Sequence, residues 1–322
     1  MCTAITYKTK DSYFGRNLDL EYSYDEKIVV TPRNYKFKFR KIEDIQNHYA
    51  IIGVATVIDN YPLYYDGANE FGLSMAGLNF PNNAHYFDIK EDKENICPFE
   101  FIPWILSSCK TVCEAEKLIS KTNLCNINFS DNLPLSPLHW IIADKEKAIT
   151  VESTKEGLKI YKNKVGVLTN NPTFDYHMTR LCDFLSLTNG EIKNNFENLD
   201  IIPYSKGMGA LGLPGDFSSS SRFIKATFVK LNSASGENEE ESVNEFFHIL
   251  NSVSMPRGSV KTGDKYEITV YTSCINQDKG IYYYTTYENS TINAVDMNRC
   301  NLNSDKLFLY ELERNYNINM QN

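Results

Sequence analysis

Apolar positions in the first 80 residues recur with the spacing of strands rather than helices. Cys2–Tyr7 alternates weakly, and Lys27–Pro32 and Tyr35–Phe39 are short runs rich in β-branched and aromatic residues. Tyr49–Ile58 (YAIIGVATVI) is apolar almost throughout, which predicts a central strand buried on both faces. Gly72–Phe80 is the next expected strand, after a polar turn at Asp66–Glu70. The period then changes. Pro98–Leu106 and Thr111–Ser120 read as helices, the second with Thr111 as N-cap and Glu114 at the capping-box position. Strands return at Leu138–Ala143, Ala148–Ser153, Leu158–Tyr161 and Val165–Thr169, with a hairpin turn at Asp144–Lys147. Helical periodicity marks Phe174–Leu187, Ser220–Leu231 and Glu241–Val253, and strands close the chain at Tyr266–Cys274, Gly280–Tyr287 and Thr291–Asp296. Hairpin-spaced strands outnumber βαβ units, so the chain reads as layered α+β: antiparallel sheets packed face to face with helices outside. Neither a repeat nor a low-complexity linker divides it.

Composition narrows the function classes. The 322 residues are ample for a core, and 42% hydrophobic with 23% charged residues is the make-up of an ordinary globular protein. A net charge of −8 argues against a nucleic-acid partner, which needs a basic surface. The basic run Lys36–Lys41 alternates with aromatics and reads as the solvent side of a strand. No run reaches the roughly 18 apolar residues of a membrane span, and no basic start is followed by an apolar run, so a soluble cytoplasmic protein is expected. In that setting the eight cysteines (2, 97, 109, 113, 125, 182, 274 and 300) stay reduced. They form no CxxC pair, and the five histidines (48, 85, 139, 177 and 248) show no ligand spacing, so no metal site is expected. A Cys–His enzyme stays open, because such partners meet in space and not in sequence.

Position 2 changes the picture most. If Met1 is removed, Cys2 carries both a thiol and a free α-amine. The thiol is a nucleophile, and an amine with a pKa of about 8 is a base near its working pH, which makes a self-contained acyl-transfer centre. An arginine favours the thiolate of a nearby thiol, and a carboxylate orients an amine; Arg16 and Asp19 follow in Gly15-Arg16-Asn17-Leu18-Asp19. The same two residues would serve as a surface pair. In a regular strand their odd separation puts them on opposite faces, so both face Cys2 only if the strand is broken between them or the segment is a loop. Asn79 and Asn170 each end a strand shortly before a proline, which suits a turn and equally an oxyanion hole. Arg222, in the first turns of a helix, opposes the helix dipole and is a poor choice for stability alone.

Taken in order, Met-Cys-Thr, Gly-Arg-Asn-x-Asp, Asp66-Gly67-x-Asn69-Glu70-x-Gly72-Leu73, Ala76-Gly77-Leu78-Asn79, Leu168-Thr169-Asn170-x-Pro172, Gly212-Leu213-Pro214-Gly215-Asp216-Phe217-x-Ser-Ser-x-Arg222-Phe223 and Tyr271-Thr272-Ser273-Cys274 resemble the choloylglycine hydrolase family of conjugated bile salt hydrolases and penicillin V acylases. The resemblance runs from residue 2 to about 300. It implies an N-terminal-nucleophile hydrolase fold, a four-layer αββα sandwich, as one domain over 2–322. It implies Cys2 as nucleophile after loss of Met1 with its α-amine as base, Arg16 and Asp19 flanking it, and Asn170 (side chain) with Asn79 (mainly backbone N–H) as oxyanion donors. Arg222 completes the polar cluster, and no cofactor is needed. The resemblance also implies a homotetramer gripped by an extended loop near 190–215, and no self-cleavage beyond Met1. By similarity, Leu18, Ile58, Tyr64, Tyr65, Phe129 and Leu133 would line an apolar pocket for a steroid body. Asn79 favours a glycine- or taurine-conjugated bile acid as the small-molecule substrate. The alternative is a penicillin V acylase or another N-acyl amide hydrolase, including one acting on acyl-homoserine lactones.

Overall fold

Cys2–Lys8 (β1) pairs antiparallel with Ser12–Leu20 (β2), and this hairpin sits in the middle of a seven-stranded sheet. The structure, a computed structural model, describes residues 1–316 and 318–322. With strands and helices numbered in chain order, this first sheet runs β12 (Val167–Leu168), β1, β2, β14 (Lys265–Asn276), β15 (Ile281–Thr286) and β16 (Asn293–Asp296), with β13 (Val260–Thr262) paired to β14. The second, of eight strands, runs β11 (Gly157–Lys162), β10 (Ala148–Thr154), β9 (Leu138–Ala143), β6 (Ser74–Asn79), β5 (Tyr61–Asn69), β4 (Ile51–Ile58), β3 (Lys27–Thr31) and β17 (Phe308–Glu311). Every pairing in both sheets is antiparallel; a short parallel pair, β7 (Glu94–Ile96) with β8 (Thr122–Leu124), stands apart.

The sheets face each other, and helices cover both outer faces. α4 (Ser219–Asn232) and α5 (Glu239–Asn251) lie on the first sheet, while α1 (Phe101–Ser108) lies against β4, β5 and β6 of the second. α2 (Val112–Ile119) joins the same outer core as α1. α3 (Phe174–Arg180) packs beside α4. This is the four-layer αββα order expected from the strand count. Phe14, Leu18, Val54, Ala76 and Leu78 meet between the sheets, and Ile5, Phe246 and Leu250 belong to the same continuous core on the helix side. A second core of Val29, Ile51, Met75, Trp140 and Ile142 fills the space under α1 and α2.

Several elements differ from the sequence reading. Tyr35–Phe39 makes no strand; only Phe37 bridges to Ile45, although Phe37 and Phe39 are buried as their alternation required. Asp66-Gly67-Ala68-Asn69, read as a turn, completes β5, and Asp66 is a wholly buried strand residue. Its Asp-Gly pair has the composition of a turn, but β4 and β6 on either side supply ladder partners. α3 ends at Arg180 and continues only as a 3₁₀ turn to Phe184. At α2 the Thr111 hydroxyl caps Glu114 N–H at 3.2 Å, while Glu114 itself accepts from Lys110 N–H rather than closing the reciprocal box.

Candidate active site

β2 is unbroken from Ser12 to Leu20, so Arg16 and Asp19 do lie on opposite faces. The expectation that a broken strand or a loop brings both to Cys2 is corrected: Arg16 shares the face of the Cys2 side chain, while Asp19 holds Met1. Cys2 stands opposite Leu18, so its side chain shares the inter-sheet face with Leu18 and Arg16. The helix-side face carries Asn17, bonded to Leu250 O of α5 at 2.9 Å, and Asp19. One strand therefore serves the thiol on one face and the chain terminus on the other.

Arg16 is wholly buried and crosses to the opposite sheet. Its Nη1 donates to Gly77 O at 2.6 Å and to Tyr65 O at 3.2 Å. Those carbonyls are free because β5 bulges at Tyr65 and its pairing with β6 stops at Asp66–Ala76. Burial works against the guanidinium charge, but Cys2, Tyr271, Asp66 and Asp19 around it more than offset this and push its pKa up. Behind it, Asp66 accepts from Tyr271 Oη at 2.5 Å and Tyr282 Oη at 2.6 Å; burial raises its pKa against the pull of Arg16. Arg16 Nη2, also buried, has no hydrogen-bond partner among the described residues.

The chain terminus lies on the other side. The Met1 ammonium donates to Asp19 O at 2.7 Å and pairs with Glu267 at 3.1 Å, and Asp19 N–H returns a bond to Met1 O at 3.0 Å. With Met1 in place the Cys2 nitrogen is an amide and donates to Asn170 Oδ1 at 2.9 Å. Asp19 takes the Thr269 hydroxyl on Oδ1 at 2.6 Å and leaves Oδ2 buried without a partner. Burial raises the Asp19 pKa, with Arg222 and the terminal ammonium opposing. The unpartnered atoms Arg16 Nη2 and Asp19 Oδ2 thus belong to the two residues that flank the thiol and the terminus.

Arg222 explains its own poor placement in the dipole. It is buried in the first turns of α4 and donates to Cys2 O, to Thr3 Oγ1 at 2.6 Å, to Asn170 Oδ1 at 2.7 Å and to Phe217 O at 3.0 Å. Burial lowers its pKa against Asp19 and Cys2. It ties the start of β1 to the loop after β12.

Asn170 uses both ends of its amide. Oδ1 takes Cys2 N–H and Arg222; Nδ2 donates one hydrogen to Asn79 O at 2.7 Å, leaving the other. Asn79 pairs with Leu138, and the next residue, Phe80, donates to Pro137 O at 2.7 Å. In an antiparallel ladder narrow and wide pairs alternate, so Asn79 holds a wide pair and turns its N–H and C=O away from β9, toward Asn170. No β5 residue is in register there. Its side chain is exposed and stands on the outer side with Met75 and Gly77. Two N–H donors, one from each asparagine, therefore border the same gap.

The six expected lining residues separate. Leu18 is on the inter-sheet face beside Cys2, and Tyr65, the bulge residue, packs on the same core with its hydroxyl 2.9 Å from Thr56 Oγ1. Tyr64 does not belong with them. The bulge shifts the side-chain phase by one residue, so Tyr64 enters the outer core and bonds Thr31 at 2.7 Å. Ile58, Phe129 and Leu133 are half-buried and pack on neither core; Phe129 meets the rings of Tyr61 and Phe99 with Arg40 over it. Two cavities, of about 770 and 800 Å³, open around Lys8 at the far end of β1 and include none of these residues. No group of three or more His, Cys, Asp or Glu side chains is placed to hold a metal among the described residues. Nor is any helix among them long and apolar enough to cross a membrane.

Sequence reasoning missed Asp66, Thr269, Glu267, Ser219 and the two buried histidines 139 and 177 as neighbours of this site. Asp66 and Ser219 left a trace, each as a member of a quoted motif with no role given to it.

Comparison with known proteins agrees with this geometry. Residues 2–310 match the family of linear amide C–N hydrolases, choloylglycine hydrolase family. The chain is 54% identical over 314 residues to a bile salt hydrolase/transferase of Lactiplantibacillus plantarum, covering 97% of each. It is 42% identical to the bile salt hydrolase/transferase of Clostridium perfringens over the full length of both. A crystal structure of a conjugated bile acid hydrolase from Clostridium perfringens superposes over all of both chains with a TM-score of 0.93 at 40% identity. A penicillin V acylase from Agrobacterium tumefaciens, 18% identical, covers 99% of this chain and all of that one with a TM-score of 0.75, and shares the fold. With the sandwich, the N-terminal cysteine and the full-length match in agreement, the chain belongs to the choloylglycine hydrolase family of linear amide hydrolases.

Proposed function

We propose that the protein is a conjugated bile salt hydrolase, cleaving the amide between a bile acid and glycine or taurine, with Cys2 as nucleophile once Met1 is gone. One observation carries this reading: Arg222 and Asn170 converge on the backbone of Cys2 while Arg16 approaches from the inter-sheet side. Removal of Met1 turns the Cys2 amide, which donates to Asn170 Oδ1, into an amine, and takes away the residue that Asp19 holds through its backbone. The amine takes the thiol proton, and the thiolate attacks the amide carbonyl. The oxyanion lies between Asn170 Nδ2 and Asn79 N–H, where one donor is worth about 10²–10³ in rate. The ammonium protonates the departing amine, a thioester remains, and water deacylates it. An amine in place of water would give transfer, which accords with the paired activities in the names of the Lactiplantibacillus and Clostridium relatives. Leu18, Tyr65, Ile58, Phe129 and Leu133 supply apolar surface for the steroid; penicillin V acylase or another N-acyl amide hydrolase is the alternative. Eight unpaired cysteines support a reducing, cytoplasmic setting.

The test is an assay of Met1-free protein on glycocholate, taurocholate and penicillin V, with Cys2→Ser beside it. Bile salts are expected to be the better substrates, and Cys2→Ser to lose at least about 10³-fold in kcat. No turnover of either bile salt, with a free Cys2 shown by mass spectrometry, would sink the assignment.

A further inference from the structure

The β1–β12 ladder ends at Leu168, two residues short of Asn170. Sheet hydrogen bonds therefore cannot fix this asparagine, and side chains from three other elements do so. His139, on β9, meets Thr169 O through Nε2 at 2.9 Å; His177, on α3, meets Asn170 O through Nε2 at 2.9 Å. Asn170 N–H is taken by the Ser219 hydroxyl of α4 at 2.8 Å, and that hydroxyl donates to Thr169 Oγ1 at 3.0 Å. Both imidazoles are wholly buried.

Hydrogen-bond chemistry sets their proton positions. A carbonyl only accepts, so both Nε2 atoms carry hydrogen. His177 Nδ1 has no partner among the described residues, which makes it the neutral Nε2–H tautomer; burial lowers its pKa to about 4, in keeping with this. His139 Nδ1 faces Glu152 Oε1 at 3.1 Å, and the same oxygen accepts Phe174 N–H at 2.9 Å. The His139–Glu152 contact thus ties β9 and β10 to the start of α3. Each ring is also held flat: His139 stacks on Phe80 at 4.1 Å between centroids, and His177 on Phe223 at 4.8 Å. Phe80 directly follows Asn79, and Phe223 directly follows Arg222, so each stack ties its ring to a neighbour of the site.

We propose that His139 and His177 are positioning residues that clamp two consecutive carbonyls and so set where the Asn170 amide stands relative to Cys2. This rests on Asn170 being an oxyanion donor. A displacement of about 1 Å in such a donor costs on the order of 10²-fold in rate, so a loop without a ladder needs this clamp.

The experiment uses His139→Leu, His177→Leu, the corresponding Gln variants and Asn170→Ala, in Met1-free protein with glycocholate. Leu removes the donor and keeps much of the volume; Gln restores an N–H at similar reach. Each Leu variant is expected to lose at least tenfold in kcat with KM within threefold, and each Gln variant to recover to within threefold of wild type. Adding His177→Leu to Asn170→Ala should cost less than threefold more, because the histidine acts through that amide. The rate of Cys2 alkylation by iodoacetamide should stay within twofold in the single histidine variants, since both rings bond carbonyls of the loop and not Cys2. Folded Leu variants with wild-type kcat, Gln variants no better than Leu, or a fully additive loss in the double variant would each overturn the clamp. If a Leu variant does not fold, His139→Asn and His177→Asn decide, because Asn keeps an amide N–H on a side chain too short to reach the carbonyl: each should lose at least tenfold in kcat, and a wild-type kcat in both would overturn the clamp. Absence of glycocholate turnover in the wild type would instead refute the substrate reading, and a harmless Asn170→Ala the oxyanion role.

Discussion

At Asn170 one amide touches the nucleophile's backbone, the Arg222 guanidinium and the Asn79 carbonyl, and each contact excludes the others from drifting. Buried charges nearby are each answered by an opposite charge in reach of its field: Asp66 and Asp19 for Arg16, Asp19 and Glu267 for Arg222. His177 is a different case, a buried base with no acid partner. Its ordinary pKa near 6.5 falls to about 4 through burial first, with His139, Arg222 and Arg180 adding to the effect. Between those values the unfolded chain binds a proton that the folded one refuses, so stability falls as pH drops from about 6.5 toward 4 and this group costs nothing further below that. The loss from this one group should reach about 3 kcal/mol. Urea unfolding at pH 7, 5.5 and 4.5 checks it: His177→Gln should flatten the slope, and an unchanged slope in that variant would rule the histidine out as its source.

At the level of elements, two close approaches shape the site. Gly15 of β2 lies against β14 so tightly that a Cβ would stand 2.0 Å from Ser273 O. Gly15→Ala must push the two strands apart next to Arg16, at a cost of about 3 kcal/mol or more. A shift in the urea midpoint measures it, and a loss under about 0.5 kcal/mol would show that β2 and β14 can separate freely. The second is the bulge at Tyr65. Arg16 was legible as a residue beside a cysteine, but its seat, made by Tyr65 O and Gly77 O, depends on a one-residue slip in β5 that no local pattern marks. The same slip sends Tyr64 outward, which is why an alternation argument cannot place both tyrosines.

At the scale of the whole molecule, residues 190–211, between α3 and α4, have no side chain in either core. They contain little regular structure beyond a 3₁₀ turn at Met208–Ala210 and present Phe196, Leu199, Ile202, Tyr204 and Leu211 to solvent, with Ile202 and Tyr204 each 84% exposed. Apolar side chains this exposed, in one segment, mark an interaction surface. We propose that this loop, near 190–215, grips a neighbouring copy in a homotetramer. Size-exclusion chromatography with light scattering should find a tetramer in the wild type and a smaller species in the Ile202→Asp, Tyr204→Asp double variant. A tetramer unaffected by both substitutions would remove the loop from the interface.

The sequence by itself determined the layered α+β class, most of the strands and Cys2 with Arg16, Asp19, Asn79, Asn170 and Arg222 as the residues to watch. It could do so because alternation, helix periodicity and an ordered set of short motifs are local properties. What only the tertiary structure decided is non-local. It put Arg16 and Asp19 on opposite faces of an unbroken strand, Arg16 on the face of the Cys2 side chain and Asp19 against Met1. It turned an Asp-Gly turn signal into a buried strand carboxylate, moved Tyr64 to the outer core and set two scattered histidines on adjacent carbonyls. Each of these depends on which strand pairs with which and in what register, and that is settled by the packing of segments far apart in the chain.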